Sequence, residues 1–116
     1  CDIISIHAPL NDQTRNLIDY EKLSLMKKSA IIINLGRGGI INESALQQAL
    51  DNEIISGAGI DVFTQEPIVA ENPLLKVKNP ERLVLAPHIG WTSVEARNKI
   101  VGMIANNIKT WIEQNN

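Results

Sequence analysis

The sequence is poor in cysteine, since Cys1 is the only cysteine among its 116 residues. Within this chain, that composition excludes both a disulfide framework and a cysteine-based metal cluster. We interpret Cys1 as a structural thiol, which fits a reducing compartment such as the cytoplasm. The sequence also lacks H-x-x-x-H and H-E-x-x-H pairs, so we expect no metal site.

An excess of charge of either sign is also missing. The chain has 11 Lys and Arg residues against 13 Asp and Glu residues, and its net charge is -2. Without a basic patch we expect neither nucleic acid nor a membrane surface as a partner. No apolar run reaches the roughly 18 residues of a membrane span. Because a signal-peptide pattern is absent as well, we predict a soluble, cytoplasmic protein.

Four short apolar runs rich in isoleucine and valine predict strands that are buried on both faces. These runs cover residues 3–6, 30–35, 54–62 and 83–86. Helical spacing over residues 17–26, and again behind Asn42 as an N-cap, places helices between the strands. The alternation predicts an α/β fold with a parallel sheet.

The last segment has the pattern of a long helix. Thr92 and Glu95 are spaced as a capping box. One apolar face follows them, formed by Ile100, Ile104, Ile108, Trp111 and Ile112. We expect this helix to pack across the body of the domain. We also interpret the small residues Ser56, Gly57, Ala58 and Gly59 as a place where a helix approaches the sheet closely.

Polar side chains follow the four predicted strands. His7, Arg37, Asp61 and His88 come after the first, second, third and fourth runs respectively. Because the carboxyl ends of parallel strands share one edge of the sheet, we expect these residues to meet in one crevice.

Each of these residues has a plain structural alternative. Arg37 between glycines suits a bidentate carboxylate contact, but it could equally be a solvated turn residue. A phosphate loop is disfavoured there because neither the Walker spacing nor G-x-G-x-x-G is present. Glu66 could orient the imidazole of His88, or the two could be a solvated acid and a structural histidine. Asp61 could hold a ligand amide or cap a turn, and His7 reads as a loop residue.

Four stretches of the sequence resemble the motifs of one enzyme family. They are HAPLNDQTRNLI, INLGRGGIINESALQQAL, GAGIDVFTQEP and LAPHIGW, and together they span nearly the whole chain. Their order and spacing are similar to those of the D-isomer-specific 2-hydroxyacid dehydrogenases. The resemblance implies the C-terminal half of a Rossmann-type, doubly wound parallel sheet, followed by a long C-terminal helix.

The resemblance also implies a reaction and a set of site residues. The reaction transfers a hydride between a nicotinamide cofactor, NAD with NADP as the alternative, and C2 of a 2-hydroxy or 2-oxo acid. The implied catalytic residues are Arg37, Glu66 and His88. The implied cofactor-binding residues are Ala8, Pro9, Leu35, Gly36, Arg37, Asp61, His88, Ile89 and Gly90.

Parts of the family pattern are absent from the sequence. The G-x-G-x-x-G loop, the acid that follows it and the substrate domain do not occur. We therefore expect residues 1–116 to be a fragment, the C-terminal portion of the NAD(P)-binding domain, and to be inactive alone. We expect the intact protein to be a homodimer.

Two residues bear on the substrate through the resemblance. Glu66 argues against the formate dehydrogenase branch, which has glutamine at that position. Trp91, directly after HIG, is similar to the residue found there in glycerate dehydrogenases and hydroxypyruvate reductases. The rival function implied by the same fold is an NAD-sensing regulatory or co-repressor module.

Overall fold

A computed structural model describes residues 1–115 and shows one parallel sheet of four strands. The strands are β1 (Ile3–Ile6), β2 (Ile31–Asn34), β3 (Gly57–Ile60) and β4 (Leu83–Leu85), and they lie in chain order across the sheet. The predicted α/β fold is confirmed. The second and third predicted strands, residues 30–35 and 54–62, are longer than β2 and β3, because the apolar residues continue into the adjoining loops.

Within residues 1–115, three α-helices accompany the sheet, namely α1 (Tyr20–Ser24), α2 (Glu43–Asp51) and α3 (Val94–Gln114). Asn42 caps α2 as predicted, since its Oδ1 accepts a hydrogen bond of 2.9 Å from the Ala45 amide. The helix predicted over residues 17–26 is shorter than expected. Ile18 instead forms an isolated parallel bridge with Ile41, and the Asp19 side chain caps α1.

The hydrophobic core lies between α2 and one face of the sheet. Ile32, Ala58 and Ile60 pack there against Leu46 and Leu50, and all five are at most 5% exposed. The opposite face of the sheet is open, with Ile3 61%, Ile31 38% and Val84 68% exposed. The prediction that the strands are buried on both faces is therefore wrong for residues 1–115, because the core forms on one face only.

Helix α3 does not pack across the body of the domain, and that prediction is wrong. None of its described residues is buried, and the molecule extends over 59 × 26 × 25 Å. The predicted capping box is also wrong, because the N-cap is Ser93, whose Oγ accepts a hydrogen bond from the Ala96 amide at 3.1 Å. Thr92 instead donates its hydroxyl to the Ile89 carbonyl at 2.7 Å.

Among the small residues before and in β3, Ala58 packs against α2 as predicted, but Gly57 has a different close neighbour. A Cβ on Gly57 would lie 3.0 Å from the carbonyl oxygen of Arg82, at the entry to β4. The close neighbour of Gly57 is thus the adjacent chain segment rather than a helix. Among residues 1–115, no helix combines the length and apolarity needed to cross a membrane.

Candidate active site

The loops that follow the four strands enclose a crevice at the carboxyl edge of the sheet. Its volume is about 430 Å³, within the usual range of about 300–1,000 Å³ for small-molecule sites. The residues lining it are His7, Leu35, Arg37, Asp61, His88, Gly90 and Trp91. All four polar residues that follow the strands are among them. The prediction that they meet at one edge is confirmed.

Glu66 and His88 form a hydrogen-bonded pair at this crevice. Glu66 Oε2 lies 2.8 Å from His88 Nδ1, and Glu66 Oε1 accepts a hydrogen bond of 2.9 Å from the Phe63 amide. The pKa of the Glu66 carboxyl is held below its usual range, chiefly by the hydrogen bond with His88 and next by the hydrogen bond from the Phe63 amide. The charges of His88 and Arg37 lower it further. An ionised carboxylate only accepts hydrogen bonds, so Nδ1 carries the shared proton and Nε2 is left for a ligand.

Arg37 lies on a loop that a buried amide holds in shape. Asn34, 2% exposed, accepts a hydrogen bond from the Gly36 amide at 3.0 Å and donates one to the Arg37 carbonyl at 2.9 Å. The Arg37 guanidinium donates from Nη1 to the Gly36 carbonyl at 2.8 Å. Its other N–H groups remain available for a ligand carboxylate.

Asn34 was not among the residues predicted for the site. The signal was present, because a lone amide interrupts an apolar strand just before the glycines. An amide there can satisfy both an N–H and a carbonyl of the following turn.

The glycines beside Arg37 let three loops approach one another. A Cβ on Gly36 would lie 2.6 Å from the Ala8 carbonyl oxygen after β1. A Cβ on Gly38 would overlap the carbonyl group of Phe63, in the loop that carries Glu66. Any side chain at either position would separate Arg37 from its neighbours in the crevice.

Asp61 fixes the loop that follows β4. It is 4% exposed, and its Oδ1 and Oδ2 accept hydrogen bonds of 2.8 Å from the amides of Ile89 and Gly90 respectively. This is the turn-capping role that the sequence left open. Each carboxylate oxygen retains a further lone pair, so a contact with a ligand amide is compatible with the cap.

A second cavity of about 280 Å³ adjoins the crevice and extends it toward β1. It is lined by His7, Ala8, Pro9, Leu35, Gly36 and Arg37. His7, predicted as a loop residue, lines both cavities, and its Nε2 lies 2.8 Å from Ser5 Oγ. We call the crevice and this second cavity together the groove. Every predicted cofactor-binding residue except Ile89 lines it, and Ile89 is 49% exposed between the lining residues His88 and Gly90.

A larger cavity lies elsewhere, at the opposite edge of the sheet. It measures about 600 Å³ and is lined by charged and polar residues such as Lys28, Glu53 and Arg82. No residue predicted for the site lines it, so we place the site at the carboxyl edge, where the Glu66–His88 pair and Arg37 lie. Within residues 1–115, no three His, Cys, Asp or Glu side chains are arranged to bind a metal ion.

Comparison with known proteins identifies the family to which this arrangement belongs. Residues 1–90 match the family model described as the NAD-binding domain of D-isomer-specific 2-hydroxyacid dehydrogenases. A glyoxylate reductase of Korarchaeum cryptofilum is 44% identical over 107 residues, which are 92% of this chain and 31% of the reductase. A glycerate dehydrogenase of Methylorubrum extorquens is 41% identical over 111 residues, 96% of this chain and 35% of that enzyme.

A comparison with solved structures agrees with the sequence comparison. An acyclic imino acid reductase in complex with NADPH and D-Arg superposes with a TM-score of 0.83 at 38% identity, covering 97% of this chain and 35% of the reductase. This chain thus spans about a third of the length of the relatives it matches. The match over residues 1–90 covers most of the sequence, and the chain belongs to the D-isomer-specific 2-hydroxyacid dehydrogenase family.

Proposed function

We propose that the protein carrying this chain is an NAD(P)-dependent oxidoreductase that interconverts D-2-hydroxy acids and 2-oxo acids. Residues 1–116 would form the C-terminal portion of its NAD(P)-binding domain. The observation that carries the proposal is a hydrogen-bonded Glu66–His88 pair, 2.8 Å apart, whose His88 lines the same crevice as Arg37. That crevice thus combines a proton-transfer group with a carboxylate-binding group.

The residues along the groove fit a nicotinamide cofactor. Gly36 and Gly90 line the groove with backbone alone, and half-exposed Leu35 and Ile89 offer apolar contacts. The remaining proposed cofactor contacts are Ala8, Pro9, Arg37, Asp61 and His88. When bound, the cofactor supplies or accepts the hydride. We propose NAD, with NADP as the alternative because the structurally similar imino acid reductase binds NADPH.

Three residues of the chain bind the substrate, transfer the proton and orient the proton-transfer group. Arg37 binds the substrate carboxylate through the N–H groups that Gly36 does not use. His88 Nε2 donates a proton to the C2 oxygen during reduction and accepts it during oxidation. Glu66 fixes the imidazole so that Nε2 points at that oxygen, and together with Arg37 the imidazolium stabilises the negative charge that develops there.

The substrates we propose are small 2-oxo acids, namely hydroxypyruvate and glyoxylate, with glycerate in the reverse direction. The names of the relatives support this choice, as do Glu66 and Trp91 in the sequence. We further propose a cytoplasmic homodimer. The relatives described above are enzymes, which together with the complete set Arg37, Glu66 and His88 favours catalysis over an NAD-sensing regulatory role.

Substitution of Arg37 tests this assignment in the intact protein. Because the bidentate contact of an arginine is not reproduced by lysine, Arg37→Lys should lower kcat/KM for the 2-oxo acid about 10- to 100-fold. The dissociation constant of NADH, measured by fluorescence titration, should change less than about threefold, since the other proposed cofactor contacts stay in place and lysine keeps the positive charge.

Arg97→Lys on exposed α3 is the matched control and should leave both quantities unchanged. Equal losses of substrate use and NADH binding in Arg37→Lys would instead assign Arg37 to the cofactor phosphates. A wild-type protein that turns over no 2-oxo acid and no imino acid with either cofactor would reject the enzymatic proposal.

A further inference from the structure

Trp91 lines the crevice and is bonded to the backbone of the proposed proton-transfer residue. Its indole Nε1 donates a hydrogen bond of 2.9 Å to the His88 carbonyl oxygen. The side chain is 52% exposed, so burial in a core does not explain where the ring lies. An indole has a single N–H donor, and here that donor is used to hold His88.

The backbone of His88 adopts a conformation that needs support from its surroundings. Its φ of 56° lies in the left-handed region, which residues with a side chain occupy at a cost. Such conformations persist where neighbouring contacts fix them. Asp61 fixes the Ile89 and Gly90 amides that follow, and Glu66 fixes the imidazole ring. The bond from Trp91 holds the His88 carbonyl.

We infer that Trp91 is a positioning residue that acts through this carbonyl to keep the His88 imidazole aimed at the substrate oxygen. The inference rests on the proposed function, because that function gives His88 its role in proton transfer. Holding the carbonyl restrains the peptide unit that joins His88 to Ile89. The imidazole then keeps the direction in which Nδ1 meets Glu66 and Nε2 remains free.

A ring that only formed a wall of the crevice would act differently. It would contact the ligand through its aromatic surface, and that surface is largely kept when phenylalanine replaces tryptophan. Loss of the N–H alone therefore separates the two roles. The chain has two tryptophans, and Trp111 on α3 is 66% exposed and far along the helix from the crevice, which makes it the matched control.

The kinetic test uses Trp91→Phe and Trp111→Phe in the intact protein with hydroxypyruvate and NADH. Trp91→Phe should lower kcat about tenfold, because small errors in the placement of a proton donor are costly to rate. The KM for the 2-oxo acid and the dissociation constant of NADH should stay within about twofold, and Trp111→Phe should match wild type. An unchanged kcat, or a raised KM at constant kcat, would overturn the inference.

A second measurement does not depend on turnover and separates this inference from the proposed function. The Cε1–H signal of His88 in the NMR spectrum, assigned by its absence from His88→Gln, should shift or broaden in Trp91→Phe and stay in place in Trp111→Phe. A His88 signal identical in wild type and Trp91→Phe would overturn the positioning role even in an active enzyme. A shifted signal in a protein without dehydrogenase activity would support positioning while rejecting the proposed reaction.

Discussion

The loops at the carboxyl edge of the sheet and helix α3 differ in where their side chains find partners. At the edge, Asn34 and Asp61 are 2% and 4% exposed, and each makes two hydrogen bonds to the backbone of a site loop. On α3, Ile104 and Trp111 are 53% and 66% exposed although they belong to one apolar face. Within residues 1–115, no buried side-chain nitrogen or oxygen lacks a partner.

The difference is between polar side chains, whose hydrogen bonds complete the site, and apolar side chains on α3, which stay exposed. A buried polar atom needs a specific partner at a specific distance, and the site loops supply these partners from within the chain. An apolar stripe requires only that something cover it, and its periodicity does not say what. The arrangement of the site is consequently set by the polar network, while the position of α3 contributes little to it.

The largest effect we predict comes from placing a methyl group where the site loops meet. Gly38→Ala would put a Cβ onto the Phe63 carbonyl, and backbone would have to move. We expect a loss of more than about 4 kcal/mol in the free energy of unfolding, measured by urea denaturation.

Gly102→Ala on α3 is the matched control for that substitution, since a Cβ there meets no atom within 4 Å. It should be neutral or stabilising by up to about 1 kcal/mol, because alanine favours the helix over glycine. Comparable destabilisation by both changes would contradict the contrast between the two regions.

A smaller effect separates the packed helix from the exposed one. Leu46 on α2 is fully buried, so Leu46→Ala should cost about 2–5 kcal/mol of unfolding free energy. Ile108 on α3 is 56% exposed, and Ile108→Ala should change stability by less than about 0.5 kcal/mol. Both are measured on the 116-residue chain by urea denaturation, and a large cost at Ile108 would show that α3 packs in solution.

The smallest effect concerns acidification of the Glu66–His88 pair. The pKa of the Glu66 carboxyl is lowered from its ordinary value of 4.5, chiefly by the hydrogen bond from His88 and then by the Phe63 amide. The ionised form therefore stabilises the folded state at pH above that ordinary value, and this contribution disappears as the pH falls through the lowered pKa. The contribution is small because both side chains are more than a third exposed to solvent.

Glu66→Gln removes this ionisation, so its stability should fall less steeply than that of wild type between about pH 6 and about pH 3. Urea midpoints across that interval provide the measurement. Glu95→Gln on α3 should keep the wild-type slope, and a wild-type slope in Glu66→Gln would contradict the lowered pKa.

The sequence was sufficient to predict the sheet, the cap at Asn42 and the meeting of Arg37, Asp61 and His88, because strand ends in a parallel sheet share an edge. It was insufficient for the packing of α3, since an apolar stripe does not identify its partner. The sequence allowed Asp61 to cap a turn but could not identify residues 89–90 as that turn, because the contacts join positions far apart in the chain.

The bond from Arg37 Nη1 to the Gly36 carbonyl has a consequence for affinity. A long side chain that is ordered only when its ligand arrives gives up rotational freedom at a cost of about 0.5–1.5 kcal/mol. Arg37 is already tethered in the free protein, so part of that loss precedes binding. A carboxylate should then dissociate about two- to tenfold less readily than from an untethered arginine, before any new contact is counted.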